Sequence, residues 1–547
     1  MTLPLTRATT LDALDAREFD VLVVGGGING AVSAAALAAR GARVALVERG
    51  DFAGFTSSHS SNLAWGGIKY METYELGLVR KLCRSRNRLL RAYPSAVREI
   101  RFFTVVTRGS RYGRLLLYLG SMLYWVIGSM FTRAPKLLSN ADLAREEPGI
   151  DTAQTAGGVE YSDAHFVDGD AHFVFRFVRD AVEDGAVVAN YAESLGSTHD
   201  GEHWSTRVRD RVTGRTLTVR SRVIVNACGP YAEEHNARSG VTTRHRHLFS
   251  KGVHLVVERI THAPRVLTFF ATDGRLFFVL PLGNRSSIGT TDTRVDQLPA
   301  VVTDEDRAFI LSNINQRLSK ARPLTERDVI AERCGVRPLV VQASDDERES
   351  DDWTQLSRKH VLEIDEDRRH LCIFGGKLTD CINVGHEVTR AVGSLGVELR
   401  APSGRWYGEA DATRRDRFMQ RARGLGLDAA EPEVGEAMAE RWWRRHGPRA
   451  EALLDAVAAD PAQAEVLIPG TGITRAEAHY AAQHEMVVHL EDFLRRRTLV
   501  EQVVPAAQLR AMPQLRQLSE ILFDERAEQE LATYLRGDAP LAVASSA

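Results

Sequence analysis

Residues 19–48, FDVLVVGGGINGAVSAAALAARGARVALVE, leave this chain few ways to begin folding. FDVLVV is a continuous apolar run of the length and kind that a strand buried on both faces requires. The alanine-rich AVSAAALAAR reads as a helix closed by Gly41, and ARVALVE as a second strand ending on Glu48, so the stretch predicts a β-α-β unit of a parallel sheet. Gly25, Gly27 and Gly30 fill the G-x-G-x-x-G spacing between strand and helix. The first glycine makes the tight turn, the second lets the backbone approach a pyrophosphate, and the third allows close helix packing. The helix N-terminus offers free N–H groups and the positive end of its dipole to phosphates. Glu48 is placed to accept hydrogen bonds from a ribose hydroxyl and would repel a 2'-phosphate. A dinucleotide is the expected ligand, but this unit alone does not choose between NAD and FAD.

At 547 residues the chain requires more than one ordinary domain. Strand-like runs such as RVIVNACG, GVHLVVERI, RLFFVLPLGNRSSIGTTD and HLCIFGGK predict a second sheet between about residues 160 and 370, with Gly283-Asn284 as a hairpin turn. After about Arg400 the sequence turns to alanine, arginine, glutamate and leucine at helical spacing. The expected division is an N-terminal extension over 1–18, an oxidoreductase region over 19–395 with interleaved dinucleotide- and substrate-binding segments, a helical domain over 400–535 and a tail over 536–547. The fold class expected is α/β: a Rossmann-like domain with an interleaved mixed-sheet substrate domain, followed by an all-helical C-terminal domain.

Charge excludes a global nucleic-acid binder, since 70 basic residues face 72 acidic ones. Five scattered cysteines without a C-x-x-C pair fit a reducing compartment, and the first twenty residues lack the apolar core of a signal peptide. Leu115–Phe131 is a 17-residue uncharged segment bordered by Arg111, Arg114 and Arg133. Its glycines and serines weaken a membrane span, so a buried or interfacial helix is expected.

Two further stretches carry chemistry. FTSSHSSNLAWGGIKYMETYE, residues 55–75, places Thr56, Ser57, Ser58, Ser60 and Ser61 ahead of Gly66 and Gly67. FGGKLTDCIN, residues 374–383, ends an apolar run on two glycines and a lysine without the G-x-x-x-x-G-K spacing of a Walker loop. Together with VVGGGINGA, VNACGPYAEE, KGVHLVV, SSIGTTDT and CGVRPLV, these motifs lie in one order over about residues 20–390. In that order the chain resembles the FAD-dependent glycerol-3-phosphate dehydrogenases, respiratory enzymes of the D-amino-acid-oxidase-like flavoprotein group. EMVVHLEDFLRRRT carries a weaker resemblance in the C-terminal region.

The resemblance implies that Gly25, Gly27, Gly30 and Glu48 hold the adenosine diphosphate half of FAD, and that Gly229 passes beneath the adenine side. It implies that Thr56, Ser57, Ser61 and Gly67 line the pyrophosphate and flavin, and that Gly376, Lys377, Leu378 and Thr379 touch the flavin's pyrimidine end, where reduced flavin carries negative charge. On the substrate side it points to Lys69, Tyr70, Lys251, His254, Arg337 and Lys377. Arg337, pinned in extended backbone by Pro338, is the expected anion anchor, and His254 the expected base. The implied reaction is oxidation of glycerol 3-phosphate to dihydroxyacetone phosphate, with electrons passed to quinone. The implied setting is cytoplasmic, attached to the inner face of the membrane, with a homodimer among the expected assemblies. No second dinucleotide fingerprint is visible for a nicotinamide partner.

Departures from the family pattern fall on the substrate side. Trp65 replaces a histidine, Lys69 an arginine, Asp380 adds a carboxylate and Ile382 removes a cation, so the expected phosphate pocket has lost positive charge. They motivate a second reading, an oxidase or dehydrogenase of the same fold acting on another hydroxy or amino compound. Retention of Lys69, Tyr70, His254, Arg337 and Lys377 argues against a third, a flavin-binding protein without turnover. Asp163, His165, Asp168, Asp170 and His172 match no metal-ligand spacing and are expected to lead into a helix.

Overall fold

Helix α1 (Arg7–Ala16) lays Leu11 and Leu14 against the flank of a sheet whose centre is β1 (Glu18–Val24) and β2 (Val44–Val47). The computed structural model describes residues 7–319, 322–343, 359–401, 405–431 and 434–537, so the expected tail lies almost wholly outside the described residues. Helix α2 (Ile28–Ala38) joins the two strands and is buried along nearly all its length. Its small side chains let it lie close to the sheet, and a Cβ on Gly30 would meet the Gly25 carbonyl oxygen at 1.8 Å.

The eight-stranded sheet runs in the order Val361–Asp365, His370–Phe374, Thr216–Asn226, β1, β2, Val187–Ala189, with an antiparallel pair attached to Thr216–Asn226. β1 is parallel to β2 and to Thr216–Asn226, which in turn is parallel to His370–Phe374. Val24, Asn226 and Cys372 stand in one row, so the turns GGGING, CGP and GGK leave the sheet side by side from its carboxyl end. An open parallel sheet binds its ligand at that end.

A ten-stranded mixed sheet, contributed before and after Thr216–Asn226 in the chain, covers this mouth. Its longest pair is His245–Glu258 against Ala331–Gln342, and Gly283-Asn284 closes the hairpin between Leu276–Leu282 and Arg285–Gly289. α3 (Leu76–Ala92) and α4 (Arg114–Ile127) pack beside it. α4, expected as a buried or interfacial helix, is buried along one side only. Only Ser121 and Tyr124 of the helix are buried, while Leu115, Leu116, Leu119, Leu123 and Val126 are 47% to 61% exposed. Their spacing of three and four residues forms one stripe that the sheet does not reach.

Residues from Ala412 to Arg536 form helices with cores of their own, among them the fully buried Trp442 and Trp443. A two-stranded hairpin, Val466–Ile468 with Ile473–Thr474, interrupts the expected all-helical pattern where PGTG supplies two left-handed glycines. The polar residues leading into the helix Asp170–Glu183 are spent on ion pairs: Asp163 with Arg86, Asp168 with Arg444 and Arg445, and Asp170 with Arg333.

Candidate active site

Three adjoining cavities of about 60, 90 and 300 Å³ share walls and form one crevice across the carboxyl end of the parallel sheet. Glu48, Gly25, Phe55 and Cys228 border both the first and the middle cavity; Thr56, Ser57, Ile28 and Gly376 border both the middle and the third. Gly25, at φ +106°, turns the chain so closely over the neighbouring strand that a Cβ would lie 2.5 Å from the Ala227 carbonyl oxygen. The Ile28 amide donates to Ser57 Oγ at 3.0 Å, and Asn29 Nδ2 donates to the Gly375 carbonyl at 2.9 Å, which ties the first glycine turn to the loop of hydroxyls and to the GGK turn. Glu48 accepts from the amides of Gly26 at 2.6 Å and Gly50 at 2.8 Å, so its carboxylate faces the first cavity with a fixed direction. Burial pushes its carboxyl up, against the downward pull of those two amides. Gly229 borders the middle cavity. Gly30 and Gly67 do not line the crevice: Gly30 lies inside the α2 contact, and Gly67, at φ +81°, shapes the turn that carries Lys69 and Tyr70.

An elongated dinucleotide fits this crevice. The glycine turns leave room for a pyrophosphate, and Asn29 Oδ1 is buried there with no hydrogen-bond partner. The Arg49 guanidinium stacks 3.6 Å from the Tyr231 ring centroid at the ribose and adenine end, a platform for a flat base. FAD would span all three cavities, its ribose on Glu48, its pyrophosphate over Gly25, Gly27 and Ser57, and its ring at the edge of the third cavity.

The third cavity gathers Lys69, Tyr70, His254, Arg337, Lys377, Leu378, Thr379 and Ser61 from five separate stretches of chain. Lys377 Nζ donates to Tyr70 Oη at 2.6 Å and stands 4.1 Å from the centre of that ring. Arg337 crosses the bare backbone of Gly252, where a Cβ would come 2.3 Å from Nη2, and reaches Asp292 at 3.2 Å and Thr290 Oγ1 at 3.1 Å. His254 Nε2 lies 3.1 Å from Ser61 Oγ, and Nδ1 has no hydrogen-bond partner. Burial, then Arg333 and Arg337, hold His254 well below the usual histidine range, so the ring is neutral and able to accept a proton. Trp65, Leu276 and Phe278 supply the apolar wall.

Two expectations are corrected. Lys251 lies three residues from His254 on one strand and therefore points to the other face, where it donates to Asp306 and to the Val301 carbonyl. Asp380 is absent from the cavity wall and turns toward α3 instead. Ser85 Oγ and Asn383 Nδ2 donate to it at 2.7 and 2.6 Å, and Lys81 Nζ stands 3.2 Å away. Ile382 is core. The cavity has lost less positive charge than the motif comparison implies. Sequence reasoning also missed Arg49, His59, Arg275 and Asp292, which the structure places on the crevice. Arg49 directly follows Glu48, and Arg275 follows a D-G turn before a strand, but neither pattern specifies where the side chain points.

Fold and crevice together define an oxidoreductase that carries FAD, and comparison with known proteins agrees. The family model described as FAD dependent oxidoreductase matches residues 20–363, and that of the C-terminal domain of alpha-glycerophosphate oxidase matches 404–524. Glycerol-3-phosphate dehydrogenase 2 of Mycobacterium tuberculosis is 32% identical over 512 residues, covering 90% of this chain and 83% of that protein. Glycerol-3-phosphate dehydrogenase of Mycobacterium leprae is 30% identical over 558 residues, covering 97% and 90%. The structure of the glycerol-3-phosphate dehydrogenase from Bacillus halodurans, complexed with FAD, shares the fold with a TM-score of 0.73 over 97% of both chains at 24% identity. The chain belongs to the family of FAD-dependent glycerol-3-phosphate dehydrogenases.

Proposed function

We propose that the protein oxidises sn-glycerol 3-phosphate to dihydroxyacetone phosphate and passes the electrons to a quinone at a membrane surface. The observation that carries this reading is the third cavity: Lys69, Arg337, Lys377 and Arg275 face it around a neutral histidine, beside the turn assigned to the flavin. A phosphate group requires several convergent cations, and here Arg337 offers a planar fork fixed by Asp292 and Thr290. Bound FAD supplies the hydride acceptor. Ser61 Oγ takes the hydroxyl proton as it hands its own proton to His254 Nε2, so the histidine acts as the base through the serine. A phosphate bound on Arg337 offsets one of the charges that depress His254, so binding the substrate strengthens the base. Lys377, held by Tyr70, sets its charge at the boundary between flavin and substrate.

Among the described residues no helix is long and apolar enough to cross a membrane. The exposed stripe of α4, continued by Met130 and Phe131 and flanked by Arg108, Arg111, Arg114, Arg133 and Lys136, supports attachment to an anionic lipid surface. Trp65 on the cavity wall, and Lys69 where the family pattern has arginine, favour as the second reading a different hydroxy or amino substrate. Anaerobic addition of glycerol 3-phosphate decides between them. Bleaching of the oxidised flavin band is the expected result, and no bleaching at millimolar substrate rejects the first reading in favour of the second.

A further inference from the structure

The segment EDFLRRRT, Glu491–Thr498, belongs to the C-terminal helices, yet its three arginines reach back to the loop that leaves β2. Arg496 Nε donates to Asp51 at 2.6 Å, and Arg497 Nη1 and Nη2 donate to the same carboxylate at 2.7 and 2.8 Å. Asp51 is wholly enclosed, and neither arginine is more than 7% exposed. Asn190 Nδ2 also donates to Asp51, while Arg496 Nη2 donates to Asp492, which accepts from Tyr191 Oη as well, and Arg496 Nη1 donates to Glu491. Asp51 stands three residues beyond Glu48, and the next residues of its turn return to the glycine loop, where the Ala53 amide donates to the Gly26 carbonyl at 3.0 Å.

Arg495 points elsewhere. Its Nη2 lies 3.2 Å from His59 Nε2, and His59 Nδ1 lies 2.8 Å from the Phe55 carbonyl. Burial and then Arg495 push the His59 ring down to about 3, so it stays neutral and works as a spacer between the arginine and the loop. The Cβ of His59 closes on Gly335, at 2.9 Å from where a Cβ on that glycine would stand, on the strand that carries Arg337. One short stretch of the C-terminal part thus grips residues 48–54 through Asp51 and residues 55–61 through His59. Residues 48–49, 54–57 and 59–61 of those two stretches line the crevice, and none of the three arginines does.

We propose that Arg495, Arg496 and Arg497 are positioning residues for FAD: they press the loop from Glu48 to Ser61 against the glycine turn, so that tight retention of the cofactor depends on the C-terminal part. Desolvating two guanidiniums among the buried carboxylates of Asp51 and Asp492 is a poor way to gain stability alone, and its geometric return is a loop with a fixed place. The test titrates apoprotein with FAD, reading flavin fluorescence, and records the apoprotein melting temperature in parallel. Arg497→Lys keeps the charge but loses the fork, and is expected to weaken FAD binding about tenfold while the apoprotein melts within a few degrees of wild type. Arg495→Gln, which leaves the buried pair intact, is expected to weaken FAD about threefold and to alter the visible circular dichroism of the bound flavin. FAD affinity within about twofold of wild type in both variants, whatever their melting temperatures, overturns the proposal. Should Arg497→Lys fail to fold, Arg495→Gln decides alone: unchanged affinity and an unchanged flavin spectrum reject it.

Discussion

His254 and Gly252 show how single residues set the chemistry. His254 is buried beside two arginines, so the free enzyme holds it as a base only above a depressed value. The acid limb of kcat/KM is therefore expected below the usual histidine range of about 6.5, and the limb of kcat at a higher pH, because bound phosphate offsets Arg337. His254→Gln is expected to lower kcat by roughly 100-fold to 10,000-fold with a small change in KM, and steady-state kinetics across pH checks both statements. Gly252→Ala puts a methyl where the guanidinium of Arg337 lies. The guanidinium can swing aside only by giving up its bonds to Asp292 and Thr290, so stability should fall by about 1 kcal/mol. The displaced anchor should raise KM for glycerol 3-phosphate about tenfold or more, the loss expected of a charge-assisted contact worth about 1.5–3 kcal/mol. An unchanged KM would remove Arg337 from the phosphate site. The types of these residues are legible in KGVH and GVRPL. Their contact is not, because Gly252 and Arg337 are 85 positions apart until the two strands pair.

The GGKLTD turn and α4 are decided at the scale of elements. The turn is anchored through Asp380 to His360 at 3.4 Å as well as to α3, and His360 in turn meets Glu387 at 2.7 Å. Burial raises the Asp380 carboxyl, but hydrogen bonds from His360 and Ser85, the charge of Lys81 and the Asn383 amide outweigh it and bring it to about 2. The stabilisation this represents, roughly 2 kcal/mol, is present above the ordinary aspartate range and fades as pH falls through about 2. Burial lowers His360, but Asp380 and Glu387 overcome it and raise the ring above its ordinary value. Its contribution is full below about pH 6.5 and is lost as pH rises through the folded value. Asp380→Asn should therefore destabilise most in mildly acidic solution and less at alkaline pH, measured by urea unfolding at about pH 5.5 and 8.5. Equal losses at both would uncouple His360 from the turn. For α4, Leu116→Glu with Leu119→Glu removes an exposed apolar surface worth roughly 1 kcal/mol per half-buried leucine in a lipid interface. Sedimentation with anionic vesicles should be abolished while the melting temperature holds. If vesicle binding persists and concentration-dependent self-association is lost instead, the face belongs to a second copy of the chain.

For the whole molecule, FAD and folding are linked, because the crevice joins turns from the parallel sheet, the mixed sheet and the loop held by the C-terminal helices. A ligand of the native state alone stabilises by about 2.7 kcal/mol at a hundredfold excess over its dissociation constant, so added FAD should raise the apoprotein's melting temperature progressively in scanning calorimetry. A transition indifferent to FAD would contradict that linkage. The local unit from Phe19 to Glu48 was readable in the chain itself, since an apolar run, three spaced glycines and an alanine-rich helix have one compatible arrangement. So were the hairpin at Gly283-Asn284 and the helical character after Arg400, because turn chemistry and periodicity are local. Directions of side chains were not. Asp380 and Lys251 sit in motifs that suggest the substrate cavity, and strand parity and the packing of α3 send both away. The exposure of α4 likewise follows from where the mixed sheet ends, which composition does not encode. Which turns could hold a dinucleotide followed from spacing that acts over a few residues. Which charged groups meet at the crevice did not, since long-range strand pairing and burial select among side chains that are locally equivalent.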